Sequence, residues 1–106
     1  MMTHKKEILA AVSKRLPLYS SEYDPDPVAK VKIVAPEGKA TWYLWEYDPD
    51  ARLAFGLGCL SYGMDELGYV DIDGIVALRG PGGITAEVDR NFAQTPISEL
   101  RKMGEN

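Results

Sequence analysis

The stretch ATWYLWEYDPDARLAFGLG, residues 40–58, constrains this chain more than any other. Two long apolar runs flank the segment DPDA at 48–51, where Pro49 presets the backbone for the second position of a turn. The arrangement predicts a β-hairpin. A tight turn over Asp48–Ala51 sets Tyr47 opposite Arg52. Counting outward sets Trp45 opposite Ala54, Tyr43 opposite Gly56 and Thr41 opposite Gly58. The other face then pairs Glu46 with Leu53, Leu44 with Phe55, Trp42 with Leu57 and Ala40 with Cys59.

These two faces differ in kind. Trp42, Leu44, Leu53, Phe55, Leu57 and Cys59 put large side chains against large ones, as a core requires. Tyr43, Trp45 and Tyr47 instead lie beside Ala54, Gly56 and Gly58. Glycine weakens a strand unless something approaches it closely. Two readings follow: the first or last helix packs on this face, or the face is a shallow aromatic platform open to a partner. Tyr and Trp suit such a platform because each has an apolar body and a polar tip. The division depends on the turn, since a register slip of one residue exchanges the faces.

The rest of the chain places helices at both ends of a run of strands. HKKEILAAVSKRL, residues 4–16, carries Ile8, Val12 and Leu16 on one stripe, widened by Leu9, with Thr3 as a cap and Pro17 as a stop. Its lysines and arginine lie mostly off that stripe and read as a solvated face. PLYSSEYDPDP, residues 17–27, is a proline-rich connector in which Asp24 and Asp26 lack the further oxygen ligands of a divalent-cation site. VAKVKIVA, residues 28–35, alternates as a half-buried strand, and PEGK at 36–39 is a turn with Gly38 available for positive φ. ELGYVDI at 66–72 and ITAEVD at 84–89 read as strands, while IDGIVALRG is ambiguous between helix and strand. In TPISELRKM, residues 95–103, Thr95 caps a short helix and Pro96 takes its first position. The sum is a single α+β domain over 1–106: an antiparallel sheet of about 4–5 strands, an N-terminal helix and a short C-terminal helix.

Composition narrows the function classes. The chain has 106 residues and a formal charge of −4, which disfavours non-specific binding to nucleic-acid phosphates. No run reaches the ~18 apolar residues of a membrane-spanning helix, and the chain reads as cytoplasmic. A single cysteine, Cys59, forms no internal disulfide and reads as a small buried hydrophobe, and the only histidine, His4, lies near the N-terminus. RGPGG at 79–83 lacks the residues of a phosphate-binding loop, and no cofactor is expected. Carboxylates are the plentiful reactive groups. Glu46 interrupts an apolar face, and Asp71, Asp73, Glu87 and Asp89 would make a metal-dependent hydrolase site with it if their strands converge.

Several phrases in order carry a resemblance: LPLYSSE at 16–22, DPVAKVKI at 26–33, TWYLWEYD at 41–48, LAFGLG at 53–58, ELGYVDI at 66–72, GPGG at 80–83 and EVDRNFAQTPISEL at 87–100. Together they resemble a bacterial family classed as a domain of unknown function, frequent on plasmids, integrative elements and phages. The chain departs from the family's pattern at Val88, where an arginine is usual, and at Asn91, where an aromatic is usual. The resemblance implies a prokaryotic or mobile-element setting and brings no catalytic residues to carry over.

The first expectation is therefore a non-enzymatic module that binds a protein partner, an accessory or anti-defence protein such as an inhibitor of a host nuclease complex. Its expected surface is Tyr43, Trp45 and Tyr47, with Tyr62 and Tyr69 as outliers. The second is the metal-dependent hydrolase with Glu46, Asp71, Glu87 and Asp89. The third is a homo-oligomer formed through an exposed strand edge.

Overall fold

The structure, a computed structural model, describes residues 4–15, 25–60 and 65–104. Helix α1 spans His4–Arg15. It is followed by strands β1 (Val28–Ala29), β2 (Val31–Val34), β3 (Ala40–Asp48), β4 (Leu53–Leu60) and β5 (Asp65–Asp71). Helix α2 (Ile72–Ala77), strands β6 (Glu87–Val88) and β7 (Thr95–Pro96) and helix α3 (Ile97–Gly104) complete the order. The main sheet has five strands in the order β5-β4-β3-β2-β6, and every pairing in it is antiparallel. A second, two-stranded sheet pairs β1 with β7. This is the α+β architecture predicted from the residues. Thr3, Leu16, Pro17 and Tyr62 lie outside the described residues.

The sheet is covered on both faces. On one face α1 and α2 bury Ile8, Val12, Ile72 and Ile75 against Val31, Ile33, Leu44, Tyr47 and Ala54. On the other, α3 buries Ile97 and Leu100 against Ala29, Trp45 and Leu57, with Tyr43, Phe55 and Phe92 partly buried around them. An isolated helix as short as α3 is marginal in water. Burial of Ile97 and Leu100, about 1.5–3 kcal/mol for each side chain, holds it in place. A strand with bulky aromatics on both faces is thus a strand between two layers.

The hairpin bends where the sequence places it, but its pairing differs. The loop runs through Arg52, which adopts φ 56, and Asp48 pairs with Leu53. The Asp48 carboxylate holds the bend by accepting the N–H groups of Asp50 at 3.0 Å and Ala51 at 3.3 Å. Tyr47 therefore faces Ala54, two positions beyond the expected Arg52. A β-bulge between Leu44 and Glu46 then shifts the register again, so that Tyr43 faces Leu57 and Trp42 faces Gly58. An extra residue in one strand reverses the alternation beyond it. The expected grouping of Tyr43, Trp45 and Tyr47 on one face is corrected accordingly: Tyr43 and Trp45 point toward α3, and Tyr47 joins Leu44 under α1.

Three smaller expectations are also revised. The single strand expected over 28–35 is broken at Lys30, where the chain passes from the small sheet to the large one and Lys30 N–H donates to the Leu44 carbonyl. The ambiguous segment after Ile72 is helical, because the Asp71 carboxylate accepts the Asp73 N–H and caps α2. Thr95 does not cap α3; its hydroxyl donates to the Ala93 carbonyl. Asp26 supplies the cap from across the molecule, accepting the Ser98 N–H at 2.9 Å and the Ser98 hydroxyl at 2.8 Å.

Two measurements test this account. A methyl group at Gly56 would overlap the Tyr43 carbonyl oxygen, whereas one at Gly68 meets nothing within 4 Å. Gly56→Ala is expected to lower unfolding free energy in urea by about 1–3 kcal/mol, or more, and Gly68→Ala to stay within about 0.5 kcal/mol of the parent. The hydrogen bonds from Ser98 hold the Asp26 carboxyl below its ordinary range. A carboxylate whose pKa is depressed by folding stabilises fully above its unfolded value of about 3.9 and loses that effect as pH falls through the folded value. Asp26→Asn is therefore expected to lower the thermal midpoint at pH 7, with the difference closing in strong acid.

Candidate functional site

The edge strand β5, DELGYVD, is the most exposed regular element of the sheet. It pairs with β4 alone among the described residues, so one row of backbone donors and acceptors faces outward. Period-two alternation splits its side chains. Leu67 and Tyr69 lie on the α3 side, at 48% and 67% exposure. Tyr69 stacks edge-on to Phe55 at 5.1 Å, and Phe55 stacks edge-on to Trp45 at 5.7 Å. The result is a row of rings from the buried Trp45, across β4, to the rim of the sheet.

The charge on this edge has one sign. Asp65, Glu66 and Asp71 belong to β5, and no ion pair engages them among the described residues. The neighbouring Asp73 is neutralised by Arg52 at 2.9 Å. Cys59, opposite Asp65, is half-buried, and burial together with the Asp65 charge and hydrogen bond pushes its thiol up to about 11. The thiol is protonated at neutral pH, in keeping with the packing role read from its apolar setting.

The residues expected to form an aromatic platform are dispersed. Trp45 and Tyr47 are 3% and 4% exposed, beneath different helices. Tyr43 is half-buried, tilted against Phe92 at 5.7 Å with the Lys32 ammonium over its ring. Among the described residues of that expected set, Tyr69 alone presents a large exposed surface. Tyr62 lies outside the described residues.

The four carboxylates of the hydrolase reading do not converge. Asp71 ends one edge strand of the sheet, and Glu87 and Asp89 lie at the opposite edge, where Asp89 pairs with Lys32 at 3.5 Å. Glu46 is buried in β3 between them. Among the described residues no three His, Cys, Asp or Glu side chains gather as a metal site. Sequence reasoning by itself does not mark Leu67, Glu66 and Gly68 of β5. The available signal was a strand with acidic ends and a glycine at its centre.

The chain belongs to the family described as "Protein of unknown function (DUF2958)", whose model matches residues 2–106. No curated protein and no solved structure matches it. No helix among the described residues is long and apolar enough to cross a membrane.

A thiol shifted this far has on the order of a hundredfold less thiolate than a free cysteine at pH 8. Alkylation of Cys59 by iodoacetamide, followed by mass spectrometry, is expected to be slower than that of a free thiol by about tenfold, because the greater nucleophilicity of a high-pKa thiolate offsets part of its scarcity. It should accelerate as pH approaches 11.

Proposed function

We propose that this member of the family is a non-enzymatic protein-binding module that captures an extended, basic segment of another protein along β5. The observation that carries this reading is an open strand edge bearing exposed Leu67 and Tyr69 together with Asp65, Glu66 and Asp71. Strand addition draws affinity from main-chain hydrogen bonds and specificity from alternate side chains. A segment with apolar residues facing Leu67 and Tyr69, and lysine or arginine nearby, matches both the shape and the charge. The acidic edge argues against nucleic acid. It also argues against a second copy, because two β5 strands paired antiparallel would bring their acidic ends together.

The cellular setting in this proposal is the one that the sequence resemblance implies. It is an accessory or anti-defence protein of a plasmid, integrative element or phage, acting in the cytoplasm on a host protein assembly such as a nuclease complex.

Tyr69→Ala and Leu67→Ser remove largely exposed side chains and are expected to keep the protein folded, with Tyr69→Ala lowering the thermal midpoint by a few degrees through the lost Phe55 contact, about 0.5–1.5 kcal/mol. In quantitative affinity capture from a bacterial lysate, each should reduce recovery of a stoichiometric partner at least tenfold, the change that about 1.4 kcal/mol makes. Ile84→Ser, at an exposed apolar position outside β5, should leave recovery as in the parent. Equal recovery with the β5 variants, or a dimer in light scattering that those variants abolish, overturns the reading.

A further inference from the structure

On the other face of the same edge, a groove of about 400 Å³ opens between β5, β4 and α2. Its wall is the indole of Trp42, which lies across Gly58: a methyl group there would come within 3.3 Å of Trp42 Cδ1. Gly58 is thus explained by the ring it accommodates. Gly68, which also lines the groove, is not, because a methyl group at that position meets nothing within 4 Å. Glycine weakens the interior of a strand and commonly marks a place where a ligand or another backbone approaches. Nothing in the described chain fills the space over Gly68.

Two carboxylates, Glu66 and Asp71, line the groove on either side of Gly68 along β5. Asp71 already accepts one N–H from Asp73, and neither residue is ion-paired among the described residues. Of the described cations around it, Arg52 is engaged by Asp73 at 2.9 Å, and Lys39 and Arg79 line an adjoining cavity beyond Trp42 and Leu78. There Arg79 donates to the Val76 and Leu78 carbonyls and Lys39 meets Glu37 at 3.6 Å. An aromatic wall with carboxylates at its rim attracts a cation. A planar guanidinium fits better than an ammonium, because it stacks flat on indole while its fork of donors reaches separate carboxylate oxygens.

We infer that this groove receives an arginine side chain of the extended segment that adds to β5; the inference rests on the strand-addition reading above. Alternation supplies the geometry. Every second side chain of an added strand points to the α2 side, where the groove lies, and those between point toward Leu67 and Tyr69. The recognised pattern is therefore apolar–arginine–apolar over successive residues, and its specificity for arginine resides in Trp42, Glu66, Gly68 and Asp71.

The test uses two blocked peptides, valine-arginine-valine-arginine-valine and the same peptide with citrulline for arginine, which keeps the shape and removes the charge. Each is titrated into isotope-labelled protein while the backbone amides of β5 and the two indole N–H signals are followed by NMR. Trp45, 3% exposed beneath α3, is the internal reference. The arginine peptide is expected to shift the Trp42 indole signal and the β5 amides and to leave Trp45 in place. The citrulline peptide, and the arginine peptide with Glu66→Gln or Gly68→Val, should bind at least tenfold more weakly. A Trp42 shift of equal affinity for both peptides, or one that persists in Gly68→Val, overturns the inference. Shifts of the β5 amides without Trp42 overturn the groove and uphold strand addition, whereas no shift at either place overturns both.

Discussion

One extra residue between Leu44 and Glu46 reverses the direction of every side chain of β3 beyond it. Before the bulge, Trp42 and Leu44 face α1 and α2 while Tyr43 and Trp45 face α3. After it, Tyr47 has moved to the α1 side and Glu46 stands opposite Phe55. Strict alternation would have put Tyr47 with Trp45 on the α3 side and taken its ring out of the core that Leu44 and Ala54 share with α1. The bulge gives each helical layer bulky side chains to pack on, and both cores depend on it. The glycines of β4 belong to the same device, because Gly56 leaves room for the backbone of β3 and Gly58 for the Trp42 ring.

From that central strand the sheet becomes progressively less covered toward β5. Helix α3 reaches Trp45 and Leu57 with Ile97 and Leu100, and the ring row beyond, Phe55 and Tyr69, runs out to the rim. On the opposite face α2 begins at the end of β5 and leaves the groove beside Trp42. The two faces of one edge thus present different chemistry. Aromatic and aliphatic surface lies on one side, and an acidic, indole-walled hollow on the other. Carboxylates on an open strand edge also discourage pairing with copies of itself, so the same charges that protect the edge select what joins it.

Much of this was legible in the residues. The Ile8 and Val12 stripe, the bend after Asp48, the β5 segment and Gly38 at positive φ all follow from local rules and hold in the structure. The errors have a common cause. The bulge has no local signature in WYLWEY, so counting from the turn carried the aromatic platform onto the wrong faces. Local rules point to Thr95 as the cap of α3, whereas Asp26 provides it from 72 positions away. Abundance alone groups the carboxylates, whereas the strand order separates Asp71 from Glu87 and Asp89 by the width of the sheet. Residue type alone marks Tyr69, whereas Leu67, Glu66 and Gly68 take their significance from the position of β5 at the sheet edge.

The sequence by itself determined the α+β class, the hairpin and the apolar segments that must be buried, because propensity, turn chemistry and hydrophobic period act over a few neighbouring residues. Only the tertiary structure decided which aromatics share a face, which strand lies outermost and where charge accumulates. Those outcomes depend on register, strand order and coverage by helices, and each is settled by competition between distant segments for the same buried surface.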